Sequence, residues 1–241
     1  MKKKILILGS EGLIGSDLSI FLSDKYEVFK IDIRLKKSKN CFKINLNKSK
    51  EVKKIFNYFS KKKIYFHSII NSVYPKRKKF YSNFIDLDEK NYQKDLIFHI
   101  TPFYSILLNS YNYYSKIKKK GQIINLGSIY GLKIPNFKIY KNTNIKSPIM
   151  YTSSKAVLSI MTKYFSKWCI HNNKNICFSC VNPAGVKDNQ SRTFQKNYKK
   201  IYQAEMLSKR FVSKKILKVI KDPQKYNGKD IMITNGAILK H

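Results

Sequence analysis

The chain has 241 residues, 43% hydrophobic and 14% aromatic, enough apolar material for a sizeable core and too much for intrinsic disorder. Its 49 Lys+Arg stand against 14 Asp+Glu, a formal net charge of +35, which would ordinarily direct attention to nucleic acid or an anionic membrane. Only four of those cations are arginine (Arg34, Arg77, Arg192, Arg210) and lysine fills nearly every polar stretch, so the charge reads as a solvated lysine coat. No apolar run approaches the ~20 residues of a membrane span. Met1-Lys2-Lys3-Lys4 before Ile5-Leu6-Ile7-Leu8 has the charge of a secretion signal, but Gly9 ends the run too early. The expected location is the cytoplasm. Of the four cysteines, Cys177 and Cys180 form a C-x-x-C inside an apolar strand-like run. Odd spacing on a strand puts their thiols on opposite faces, and no second ligand pair exists, so buried thiols and no metal are expected.

Taken in order, residues 4–8 read as a strand, followed by Leu13, Ile14, Leu18, Phe21 and Leu22 at helical spacing. Strands are expected at Glu27–Asp32, Cys41–Leu46, Tyr65–Asn71, Gln122–Leu126, 175–182 and 230–234. Helices are expected at 49–60, 88–115, 151–171 and near 213–221. This alternation, with no repeat, linker or composition break, predicts an α/β fold spanning 1–241 as one domain. Its centre is a Rossmann-type, doubly wound parallel sheet of about seven strands with helices on both faces.

Gly9-Ser10-Glu11-Gly12-Leu13-Ile14-Gly15 joins the first strand to the first helix. Gly9 permits the tight turn, Gly12 lets the backbone approach a pyrophosphate, and Gly15 lets the helix close on the sheet, with the helix N-terminus attracting the anion. Asp32 ends the second strand, where a carboxylate accepts hydrogen bonds from ribose hydroxyls and repels a 2′-phosphate. That favours NAD over NADP, although Arg34, Lys36 and Lys37 could serve a phosphate.

Tyr151-Thr152-Ser153-Ser154-Lys155 puts a phenol and an ammonium at i and i+4 on one helical face. Gly127-Ser128 ends the strand before it. With these residues the chain resembles the short-chain dehydrogenases/reductases over essentially its whole length. The resemblance implies hydride transfer with nicotinamide, Ser128 orienting the substrate oxygen and Tyr151 as general acid/base. Lys155 would be its electrostatic partner, reaching the nicotinamide ribose. It also implies cofactor contacts from Glu11, Leu13, Ile14, the Asn45-Leu46 pair, Asn71-Ser72, and the Asn182-Pro183-Ala184-Gly185-Val186 turn (Pro183, Gly185, Val186). The chemistry is consistent in magnitude. Bringing a phenol from its usual pKa near 10 to about 7 takes roughly 4 kcal/mol. An ammonium about 4 Å away at an effective dielectric near 20 supplies ~4 kcal/mol.

Departures from the family pattern are informative. Where that family carries a catalytic asparagine in the helix after the fourth strand, the best register here places His99; a register four residues earlier offers Asp95. Between Ser128 and Tyr151 lies a polar insertion, Lys141 to Pro148. Ser128-Ile129-Tyr130-Gly131, the Val73-Tyr74-Pro75 stretch and Asp188-Asn189-Gln190 resemble the reductases of flagellin modification and sialic-acid-like sugar biosynthesis. That branch implies a phosphorylated or nucleotide-linked sugar as substrate, held by loops 129–150 and 186–210, and a homodimer or homotetramer. Leu96, Phe103, Ile106, Leu107 and Tyr111 could pair subunits or pack in the core. Two other readings stay open: a catalytically silent protein on the same fold, and a basic nucleic-acid-binding protein, which would need its cations gathered on one face.

Overall fold

The computed structural model describes residues 2–75, 85 and 87–238. Seven parallel strands lie in the order β3-β2-β1-β4-β5-β6-β7, with β1 Lys4–Leu8, β2 Glu27–Asp32, β3 Cys41–Lys43, β4 Phe66–Asn71, β5 Gly121–Leu126, β6 Ile176–Pro183 and β7 Asp230–Ile233. The central strand β1 is apolar at both alternating positions because both faces of a parallel sheet are covered. Leu6 and Leu8 point into one core with Val52, Phe59, Phe103 and Leu158. Ile5 and Ile7 point into the other with Leu18, Leu22, Val212 and Ile216.

The first core lies under α2 (Ser49–Lys61), α3 (Glu89–Ile117) and α4 (Ile149–His171); the second lies under α1 (Leu13–Ser23) and α6 (Lys209–Lys221). This is the doubly wound arrangement expected, in which the strand order reverses between β1 and β4. Ligands of such sheets bind at the carboxyl ends of the strands, at that reversal.

Four features differ from the sequence expectations. The third strand stops at Lys43 rather than Leu46, because beyond it Asn45 donates its backbone N–H to Glu51 and starts a turn. The segment expected as part of a substrate loop contains a helix, α5 (Arg192–Tyr202). Ser191 caps it by accepting the Phe194 N–H at 3.2 Å, and Phe194, Tyr198 and Tyr202, four apart, form its buried face. A short helix, α7 (Pro223–Tyr226), follows α6. Finally, Phe103, Ile106 and Leu107 are wholly buried against the sheet, which removes them from any subunit pairing. Cys177 and Cys180 are buried free thiols. Among the described residues no helix is long and apolar enough to cross a membrane.

Candidate active site

The glycine turn is packed onto the adjoining strand ends. Gly9 has φ +77°, a left-handed conformation that favours glycine, and donates its N–H to Ile31 at 2.8 Å. A Cβ on Gly15 would lie 2.2 Å from the Gly9 carbonyl oxygen, so α1 can approach the turn this closely only with hydrogen there. Ser72 ties the turn down from the β4 side, its Oγ donating to the carbonyls of Leu8 at 2.8 Å and Gly9 at 3.0 Å. Gly12 is the N-cap of α1 and offers no side-chain acceptor to the first-turn N–H groups. Leu13 and Ile14 open the helix, Leu13 on its exposed side.

Asp32 is buried at the end of β2. One carboxylate oxygen accepts the Glu11 N–H at 3.1 Å; the other accepts the Arg34 N–H at 3.0 Å and meets the Arg34 guanidinium at 3.3 Å. The carboxylate thus joins the glycine turn to the β2 end. Asn45 caps its own turn, its Oδ1 accepting the Asn47 N–H at 3.0 Å, and the neighbouring Leu46 is buried. Asn71 is drawn into the sheet. Its Nδ2 donates to Asn125 at 2.9 Å, and Asn125 in turn donates to Thr162 at 2.9 Å.

Across the reversal point, Ser128 follows β5 while Tyr151 and Lys155 occupy the first two turns of α4. The phenol of Tyr151 faces the Ser128 side chain. Burial pushes its pKa up, and the neighbouring Ser128 hydroxyl pulls it partly back. Lys155 is 4% exposed, and its Nζ donates to the Leu126 carbonyl at 2.7 Å. Burial lowers this ammonium to about 8. Here the expectation needs correcting: helical spacing brings the lysine to the tyrosine's face, but the ammonium is directed at the strand carbonyl and burial dominates the phenol. The phenol therefore sits above its ordinary value, not near 7.

Tyr74, which stands just beyond β4, was missed as a functional residue and noted only as part of a branch-like stretch. Its ring packs edge-on against Tyr151 at 5.3 Å, stacks on His99 at 5.0 Å, and lies 5.2 Å from the Lys155 ammonium. His99 and Asp95, both buried on α3, flank it; burial raises the Tyr74 phenol pKa, with Tyr151 and Asp95 adding to the rise. The signal available in the sequence was a tyrosine within three residues of a strand end at the sheet's reversal.

The β6 turn closes the site. Asn182 accepts the Ser128 N–H on its Oδ1 at 3.1 Å. Pro183 ends the strand, Gly185 donates its N–H to the Tyr198 hydroxyl of α5 at 3.1 Å, and Val186 bridges in parallel to Leu207. Above it, Tyr130 and Tyr202 hydroxyls approach to 3.4 Å, and Tyr140 packs on Phe194.

No family model matches the chain. It is 27% identical over 214 residues to the post-translational flagellin modification protein A of Campylobacter coli, covering 86% of this chain and 76% of that one. A short-chain dehydrogenase from Leptospira borgpetersenii serovar Hardjo-bovis, solved with NAD+, superposes with a TM-score of 0.83 at 24% identity, covering 98% of this chain and 92% of that one. ElxO, solved with NADP, superposes with a TM-score of 0.76 at 21% identity, covering 98% of both chains. The chain has the fold of that short-chain dehydrogenase and resembles, over most of its length, the Campylobacter coli flagellin modification protein.

Proposed function

We propose that the protein is an NAD(H)-dependent oxidoreductase of the short-chain type that interconverts a carbonyl and a hydroxyl on a phosphorylated or nucleotide-linked sugar in the cytoplasm. The observation that carries this reading is the placement of the Tyr151 phenol beside the Ser128 side chain, with Lys155 one turn further along the helix and the glycine turn at the same end of the sheet.

The residues fit a dinucleotide. Gly9 and Gly15 allow the turn and the helix to approach so closely that a side chain at either position would meet backbone. Ser10, wholly buried beside the first turn of α1, has a hydroxyl with no hydrogen-bond partner, and the N-terminal N–H groups of that helix suit a pyrophosphate. Glu11, Gly12, Leu13 and Ile14 would line the phosphate path. Asp32 would take the adenosine ribose, which favours NAD over NADP, while Asn45 and Leu46 would border adenine. Asn71 and Ser72 would act by holding the turn. Pro183, Gly185 and Val186 would border the nicotinamide.

A bound nicotinamide supplies or accepts the hydride. Ser128 holds the substrate oxygen, and Tyr151 transfers the proton at that oxygen. A phenol held above its ordinary pKa is protonated at neutral pH, so Tyr151 is the group that would give the proton when a carbonyl is reduced. The Lys155 ammonium stabilises the phenolate left behind. His99, or Asp95 one turn earlier, would support the return of the proton through ordered water.

The sugar reading has two supports. Beside the β6 turn stand the partly exposed Tyr130 and Tyr140, which would offer hydroxyls for polyol hydrogen bonding and ring faces for stacking, backed by the buried Tyr198 and Tyr202. Its similar relative also has a name that refers to flagellin modification. A second copy of the chain is the expected partner. Ile160 and Tyr164 on α4, and Ile97 and Tyr104 on α3, stand out of adjacent helices with 64%, 68%, 66% and 49% exposure. Fluorescence titration with NADH and NADPH, then turnover of phosphorylated and nucleotide-linked sugars, tests the reading. Failure of every such sugar would sink the substrate class, and failure of both dinucleotides would sink the enzyme class.

A further inference from the structure

We infer that Asp230, on the far edge strand β7, is a positioning residue that fixes Ser128 to the helix carrying Tyr151 and Lys155. The inference rests on the proposed role of Ser128 as the hydroxyl that orients substrate. Along α4 the residues Tyr151, Lys155, Ser159 and Lys163 recur every fourth position and therefore share one face. The first two belong to the candidate site. The second two meet Asp230: Ser159 Oγ donates to its carboxylate oxygens at 2.7 and 2.8 Å, and Lys163 pairs with it in a salt bridge.

The same carboxylate accepts Nδ2 of Asn182 at 2.9 Å, and Oδ1 of Asn182 accepts the Ser128 N–H at 3.1 Å. The Ser128 side chain then faces the Tyr151 phenol, so the chain of neighbours closes on the helix from which it began.

The physical consequence lies in the amide. A side-chain amide has a donor end and an acceptor end of nearly equal shape, and its partners decide which way it faces. An ionised carboxylate only accepts, so it compels the Asn182 NH2 to face β7 and leaves the carbonyl for Ser128. Without Asp230 the NH2 keeps only its longer bond to the Cys180 carbonyl at 3.3 Å, so the amide is held less firmly, and any flip sets NH2 against the Ser128 N–H, donor against donor. The backbone at Ser128 would then lose its anchor, although the sheet hydrogen bond one residue earlier, from Gly127 N–H to the Val181 carbonyl at 2.8 Å, would remain.

The test compares the full-length wild type with Asp230→Val, which keeps strand propensity, and Asp230→Asn, whose carbonyl can still accept from Asn182. Amide hydrogen exchange is read at Ser128 and Gly127 by NMR, alongside NADH affinity and turnover. In Asp230→Val the Ser128 amide is expected to exchange at least about tenfold faster while Gly127 stays within about twofold of wild type, the pattern of a local opening. Asp230→Asn is expected to restore protection. NADH affinity should hold within about threefold while kcat falls at least about tenfold, as a misplaced orienting group requires. Asp230→Ser, too short to reach Asn182, gives the same readout should the valine variant not fold. Unchanged exchange at Ser128, or equal acceleration at Ser128 and Gly127, overturns the inference. Loss of NADH binding in the wild type itself would overturn the oxidoreductase reading instead, and the exchange comparison would still decide the role of Asp230.

Discussion

The ammonium of Lys155 donates to the main-chain carbonyl of Leu126 at 2.7 Å, which fastens the start of α4 to the end of β5 from inside the protein. Burial brings this lysine down to about 8 from an ordinary value of 10.5. Two consequences for pH follow. In the proposed mechanism the Lys155 charge would stabilise a Tyr151 phenolate; as pH rises through about 8 the fraction carrying it falls, so the rate of carbonyl reduction is expected to decline on an alkaline limb centred there. A pH–rate profile measured at saturating NADH checks this; a flat profile to pH 10 would falsify it.

The second consequence concerns stability, and its sign is opposite. Between about 8 and 10.5 the folded protein has released the Lys155 proton while the unfolded chain retains it, so the unfolded state binds more protons. This one group therefore makes stability rise with pH across that window, and below it the buried charge costs up to about 3 kcal/mol, at ~1.36 kcal/mol per pH unit. Lys155→Met, nearly isosteric and neutral, is expected to lose turnover and to flatten the alkaline rise in urea midpoint relative to wild type.

Tyr151→Phe removes the transferable proton and keeps the ring that packs on Tyr74 at 5.3 Å. Turnover is expected to drop by about 10²–10⁴-fold, the range of a lost general acid/base. NADH affinity should stay within a few-fold, because the glycine turn and Asp32 are untouched. A variant that retained more than a tenth of wild-type turnover would reassign the proton donor.

The parts of this architecture that could be read from the sequence are those encoded locally. The strand Lys4–Leu8, its glycine turn and the helix from Leu13 are continuous in the chain, so apolar runs and three glycines suffice to mark them. Tyr151 and Lys155 are legible for the same reason, since helical periodicity alone sets them side by side. The direction of the Lys155 ammonium is not, because Leu126 is 29 residues away. Asp230 was illegible as a site neighbour, as its partners Ser159 and Asn182 lie 71 and 48 residues away. Helix α5 escaped notice because its apolar face is only Phe194, Tyr198 and Tyr202 among lysines and polar residues.

In the proposed function Asp32 would discriminate between cofactors by charge. Its carboxylate is buried at the end of β2 and is already held by the Glu11 and Arg34 N–H groups, so it cannot swing away from an added phosphate. Asp32→Ser removes the repulsion and leaves Arg34 free to meet a 2′-phosphate. Wild type is expected to bind NADH at least about tenfold more tightly than NADPH, equivalent to ~1.4 kcal/mol, and the variant to lose or reverse that preference. Parallel fluorescence titrations of both cofactors read the result directly. Equal affinities in the wild type would mean that Arg34 already outweighs the carboxylate.

Tyr74 touches three groups of the site at once, and its ring rather than its hydroxyl makes those contacts: an edge on Tyr151, a stack on His99, and a face or rim 5.2 Å from the Lys155 ammonium. Tyr74→Phe keeps all three and is expected to retain turnover within about threefold. Tyr74→Ala opens a void beside the phenol, with a stability cost of about 3–5 kcal/mol if the site does not collapse, and lets water reach Lys155. Water would return the ammonium towards its ordinary pKa, so the alkaline limb of the pH–rate profile should move up from about 8 even as kcat falls. A loss of kcat in Tyr74→Ala with the limb unmoved would reduce Tyr74 to a space-filling role, whereas a loss in Tyr74→Phe would give its hydroxyl a part in proton transfer.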